Sequence, residues 1–172
     1  MNFFMTLIHG ISLFISNNFS WWLYSATHLR NLRYSKLYCA LSNLHDLNRI
    51  EAMLSEDVSA FGVRGKGEVM QNKRSFYNEK YPDPFWIFKE FRIQNQSVVE
   101  FDFQRFWTDK DSGQIYSCFA SEYIIYSDDG KIIEIDYIHM PVNITQTEYP
   151  SNREVLLDVD SKFVTDHVDA EF

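Results

Sequence analysis

Few residues of this 172-residue chain are spaced for chemistry, and those that stand out sit singly among apolar neighbours. The five histidines, His9, His28, His45, His139 and His167, are never paired at i+2 or i+4, so no zinc-type ligand set is spelled out. Cys39 and Cys118 stand in no metal or redox spacing. The loop from Gly62 to Gly67 lacks the glycine pattern that cradles a phosphate, and no GxSxG nucleophile elbow occurs. No metal and no cofactor is therefore expected. Glu122 shares its strand parity with Cys118, Ala120, Ile124 and Tyr126. A carboxyl on an apolar face is costly unless it is protonated or paired, which makes Glu122 the most informative acid. A slip of one position would instead place it on the opposite face, where a glutamate is ordinary. His139 shares parity with Ile133, Ile135 and Tyr137 and is a candidate acid/base group near a strand end.

The elements that must position these residues fall into two blocks. From Leu29 onward Leu37, Leu41 and Leu44 recur at helical spacing, with Tyr34, Tyr38 and Cys39 widening the apolar face. Asp46 is placed to cap a second short helix carrying Leu47, Ile50, Met53 and Leu54. The turn Glu56-Asp57-Val58 leads into a short strand over 58–61, and a third helix is expected over 69–81, until Pro82 and Pro84 stop it. After Pro84 the period changes to two. Strands are expected at 86–93, 99–107, 115–126 and 131–139, joined by turns at 109–113 and at Asp128-Asp129-Gly130. Helices gathered before sequential hairpins indicate an α+β fold with a curved antiparallel sheet.

Bulk properties narrow the function. Aromatics reach 17%, which suits strands and large apolar cavities. The net charge of -8 opposes phosphate backbones and excludes sequence-independent nucleic-acid binding. Part of that charge is segregated: from Glu148 to Phe172 there are seven acidic residues against two basic ones, which reads as a solvated acidic extension. The apolar stretch Phe3–Ile15 has no preceding Lys or Arg and is too short to span a bilayer. It is expected to be an extra helix or the product of a start codon placed too early, with a peripheral anchor as the alternative. No firm membrane association is expected. Cys39 and Cys118 could form one disulfide, but two reduced buried thiols and a cytoplasmic location are expected. The sequon Asn143-Ile144-Thr145 would matter only in a secreted chain.

Three stretches carry a family resemblance. They are Tyr38-Cys39-Ala40-Leu41-Ser42-Asn43-Leu44-His45-Asp46-Leu47, then Met53-Leu54-Ser55-Glu56-Asp57-Val58, then Asp129-Gly130-Lys131-Ile132-Ile133-Glu134-Ile135-Asp136-Tyr137. In order and spacing, residues 38–137 resemble the SnoaL-like branch of the nuclear-transport-factor-2-like superfamily. The resemblance implies a cystatin-like α+β roll over 28–144, flanked by an extension at 1–27 and the acidic tail at 145–172. It implies a cone-shaped pocket between helices and sheet, and often a homodimer formed through the sheet. The matched positions mostly build the scaffold, and fold alone assigns no activity.

The same resemblance implies a site. Ketosteroid isomerase and polyketide cyclases work inside such a cone, and in the isomerase a helix tyrosine and a protonated strand carboxylic acid stabilise an oxyanion. By position, Tyr38 matches that tyrosine and Glu122 that acid, whereas the proton-moving base falls on Gly62, which has no side chain. Asp57 and His139 are the remaining candidate bases. Phe61, Tyr77, Trp86, Trp107, Ala120, Ile124, Ile135 and Tyr137 are expected around the ligand, with Tyr77, Trp86 and Trp107 equally suited to plain core packing. The expected function is binding of a small hydrophobic molecule. The alternatives are lyase, isomerase or cyclase chemistry on a polyketide- or steroid-like substrate through Tyr38 and Glu122, and a homo-oligomerisation module.

Overall fold

The change of period at Pro84 becomes a change of layer in the structure. A computed structural model describes residues 26–81 and 83–168, so the apolar stretch at Phe3–Ile15 lies outside the described residues. The helical block comprises α1 (Ala26–Asn43), α2 (Leu47–Met53) and α3 (Lys66–Ser75). Between them lie the short strands β1 (Leu54–Ala60) and β2 (Val63–Arg64). The strand block comprises β3 (Phe85–Ile93), β4 (Val98–Thr108), β5 (Ile115–Tyr126) and β6 (Ile132–Thr147), and a last helix, α4 (Arg153–Val168), follows.

The six strands form one curved, open sheet in the order β2-β1-β6-β5-β4-β3. All pairs are antiparallel except β1 with β6, which run parallel and return the chain past the helices. Burial alternates strictly along most of β4 and the second half of β5, so one face is apolar. Helix α1 covers that face. Leu37 and Leu41 join Val99, Phe101, Ile124 and Ile135 in a single core, each such side chain contributing about 1.5–3 kcal/mol through burial.

Polar ties set the helices on the sheet. Asp46 accepts from the Arg49 backbone at 3.1 Å and starts α2 as the capping reading requires. Asn43 closes α1: its carbonyl accepts from the Trp86 backbone at 2.8 Å and its amide donates to the Trp86 carbonyl at 3.1 Å. Gly130 turns with φ +86° against α1, where a Cβ would meet Arg30 and Tyr34 at 3.2 Å.

Three expectations are corrected. Over its described part, to residue 168, the acidic segment is no solvated extension: β6 runs through Pro141 to Thr147, and α4 packs on α1. Val164 is buried there, and Asn43 donates to Asp160 at 2.8 Å. Acids at 158 and 166 are exposed, as are Val155 and Val159, while Val164 turns inward, so an acidic net charge hides a packed helix. The strand expected at 58–61 begins four residues earlier, at Leu54. The third helix begins at Lys66 and ends as a π-helical turn, Phe76–Lys80, before Pro82.

Candidate functional site

The residues of the inner face do not close completely under the helices. A cavity of about 380 Å³ remains between α1, α3, the π-helical turn and the strands β3 to β6. That lies in the range of small-molecule sites. Its walls are aromatic: Trp86 is stacked between Phe76 and Phe88 at 6.1 and 6.3 Å, and Phe61 lies 4.9 Å from Tyr137. The π-helical turn matters here, because the wider turn carries Phe76, Tyr77, Lys80 and Tyr81 onto the cavity in close succession.

One pole of the cavity is polar. Tyr38 projects from the middle of α1, buried, and its hydroxyl accepts a hydrogen bond from Lys73 Nζ at 2.7 Å. The same ammonium lies 4.9 Å from the Tyr38 ring centroid. Glu122 enters from β5 and is 8% exposed. Burial pushes its carboxyl up to about 7, although Lys73 and Arg105 pull the other way. Burial also pulls Lys73 down to about 8, against the charge of Glu122. The Tyr38 phenol is held well above its ordinary value, first by burial and then by Glu122. Tyr38 is therefore a neutral phenol, and Glu122 a carboxyl that carries its proton up to near-neutral pH. Both can donate to a ligand oxygen.

Arg105 completes the pole from β4. Its guanidinium faces Tyr81, Trp107 and Phe76 at 4.6, 5.1 and 5.3 Å, and Tyr137 and Cys118 lie within its field. Lys73 and Arg105 were not singled out from sequence, yet both carry a signal. Arg105 holds the apolar parity of Phe101, Phe103 and Trp107, and Lys73 lies three and four residues from Met70, Val69, Phe76 and Tyr77. Each is a cation on an apolar face, the same anomaly that marked Glu122.

The expected residues divide as follows. Tyr38, Glu122, Phe61, Tyr77, Trp86 and Tyr137 all line this cavity. Trp107 stands one layer behind, against Arg105 and Tyr81. Ala120, Ile124 and Ile135 are buried in the core beside the cavity and do not line it. Gly62 turns the chain after Phe61 with φ +79°, leaving the expected base position empty of side chain.

Two candidate bases are misplaced for chemistry in the cavity. Asp57 is exposed because Val58 takes the inward parity of β1, and it accepts instead from Ser55 Oγ at 3.0 Å. His139 lies on the outer face of the sheet, in a shallow groove with Phe119, Ser121 and Val142. A β-bulge is the cause. Tyr137 pairs with Glu122 but His139 pairs with Ser121, so Ile138 is an extra residue and parity reverses after it. Among the described residues no three His, Cys, Asp or Glu side chains group to hold a metal ion. No helix among them is long and apolar enough to cross a membrane.

Neither a family model nor a curated protein matches the sequence. Solved structures do. SalBIII, an epoxide hydrolase/cyclase-like enzyme with a role in pyran ring formation in polyether salinomycin, superposes with TM-score 0.59 at 12% identity over 70% of this chain and 97% of its own. The Δ5-3-ketosteroid isomerase from Mycobacterium sp. gives 0.53 at 14% identity, over 66% and 95%. A computationally designed 17-OHP binder gives 0.56 at 12% identity, over 69% and 97%. At such identities the likeness is one of fold: the chain has the α+β cone fold of nuclear-transport-factor-2-like proteins.

Proposed function

We propose that this protein binds a small hydrophobic molecule in the aromatic cavity, with the polar end of the ligand at Tyr38, Lys73, Glu122 and Arg105. The observation that carries the reading is that these four groups line one aromatic-walled cavity, Lys73 on the Tyr38 hydroxyl and Glu122 in the field of both cations. The solved structures of similar fold, among them a designed 17-OHP binder and a ketosteroid isomerase, support it. Trp86 lines the cavity and supplies the assay. Titration with flat polycyclic ligands should give saturable changes in Trp86 emission, lost in Trp86→Phe. At a hundred times Kd the ligand should raise Tm by about 5 °C or more. If no such ligand saturates the signal or raises Tm, the binding reading fails.

Acid-base chemistry is the second reading, favoured by a carboxyl near 7 and an amine near 8 in one cavity. In a lyase, isomerase or cyclase reaction on a polyketide- or steroid-like substrate, Tyr38 and Glu122 would hydrogen-bond the developing enolate. Lys73 would move the proton, in place of the side chain that Gly62 lacks.

A homodimer through the outer sheet face is a third component of the proposal. Phe119 and its cross-strand partner Val142 are 46% and 52% exposed there. Phe119→Asp would then yield monomers in sedimentation. The unpaired thiols Cys39 and Cys118 suit a cytoplasmic location.

A further inference from the structure

Arg105 is treated unlike Arg153, another arginine that lies over aromatic rings. Arg153 lies over Tyr149 and Phe85 at 4.2 and 5.4 Å, and it is completed by Asp83 through two hydrogen bonds of 2.8 and 2.5 Å. On the outer face Arg92 is completed by Asp102 in the same forked way, at 2.8 and 2.7 Å. Arg105 has the aromatic faces, at 4.6 to 5.3 Å, but no carboxylate. It is 6% exposed and makes no ion pair with any described residue; its Nε, like that of Arg153, is buried without a hydrogen-bond partner.

A guanidinium does not lose its proton, so its charge must be answered by something. Glu122 lies within the field of Arg105 but forms no ion pair with it. Asp102, gripped by Arg92, is held down to about 2, whereas burial leaves Glu122 up near 7. Lys73 is in the same position as Arg105. Its ammonium donates to a neutral phenol and pairs with no carboxylate among the described residues. Besides the exposed Lys80, two cations thus face a cavity whose one acid among the described lining residues, Glu122, holds a proton near neutrality.

Resting on the binding reading above, we infer that the ligand is an amphiphilic acid. An apolar body lies against Trp86, Phe76 and Phe88, and its carboxylate is held by Arg105 and Lys73. The carboxylate takes the place that Asp83 and Asp102 take on the other arginines. Protonated Glu122 and the Tyr38 hydroxyl serve as neutral donors beside it.

The test compares acids with their own methyl esters on the wild-type protein. Pyrenebutyrate and dodecanoate are titrated beside pyrenebutyrate methyl ester and dodecanoate methyl ester, with Trp86 emission and Tm as readouts. The acid of at least one pair should bind about 10-fold or more tighter than its ester, and the advantage should shrink on raising the salt. Arg105→Met should abolish the advantage, bringing the affinities of acid and ester within about twofold of each other. Arg105→Lys should retain part of it, which guards against a folding defect in the methionine variant. If esters bind as tightly as acids, the anion inference falls and the hydrophobic-ligand reading stands. If neither member of either pair binds, both fall together.

Discussion

Ser121 and Glu122 are neighbours on β5, yet the two faces of the sheet handle charge in opposite ways. On the outer face Ser121 donates to Asp102 at 2.6 Å, and Arg92 grips the same carboxylate with two bonds. Tyr123 adds a bond to Glu134. On the inner face Glu122, Lys73 and Arg105 share a cavity, and no ion pair joins them. The outer groups are half-exposed and saturated, so they complete a surface. The inner groups are desolvated and unsaturated, so they hold free energy that a ligand can release. Paired charge marks structure here, and unpaired buried charge marks the site.

The largest test of this contrast uses Glu122. Its carboxyl is raised from 4.5 to about 7 in the folded protein, mainly by burial. Stability from this group is therefore full below about 4.5 and is lost as pH rises through about 7. The loss over that window is about 3 kcal/mol. Glu122→Gln should remove that slope, so urea unfolding of the variant should lose little stability between pH 4.5 and 7.5. A wild-type curve that is flat in this window would mean that the carboxylate is paired or solvated, and the inner face would no longer differ from the outer.

A smaller effect is expected from Lys73→Met. Methionine keeps most of the packing of the lysine stem and removes an ammonium that burial disfavours, so stability at pH 7 should change by about 1 kcal/mol or less. The informative change is in Glu122. Without the Lys73 charge its carboxyl should titrate at higher pH, read by carboxyl-carbon NMR against Glu122→Gln for assignment. A downward or absent shift would show that Lys73 does not act on Glu122.

Most of this architecture was legible because period and parity are local. The Asp46 cap, the Pro82 stop and the alternation in β4 each follow from a few neighbouring residues. Glu122 was found by parity, and Lys73 and Arg105 could have been found by the same rule. What escaped was set by longer-range geometry. The bulge at Ile138 changes facing without any glycine or proline to announce it, so His139 was put on the wrong face. The helix α4 was hidden because the net charge of the segment drew the reading, while its apolar residues need α1 to give them meaning. The parallel pairing of β1 with β6 brings together residues about 75 positions apart, which no local pattern encodes.

The smallest expected effect lies on the outer face and sharpens the contrast by its sign. Asp102 is held down to about 2, first by its hydrogen bonds to Arg92. Its contribution is present above its ordinary value of 3.8 and is lost as pH falls through about 2, the reverse of Glu122. Both partners are roughly one-third exposed, so solvent screens the pair and Asp102→Asn should cost no more than about 1 kcal/mol at pH 7. That cost should shrink with added salt and vanish toward pH 2. Adjacent residues on opposite faces then impose opposite slopes, so stability from these two groups peaks near pH 4 to 5. If Asp102→Asn instead costs several kcal/mol and resists salt, the outer pair is as desolvated as the cavity. The distinction between finished surface and open site would then have to rest on hydrogen-bond saturation alone.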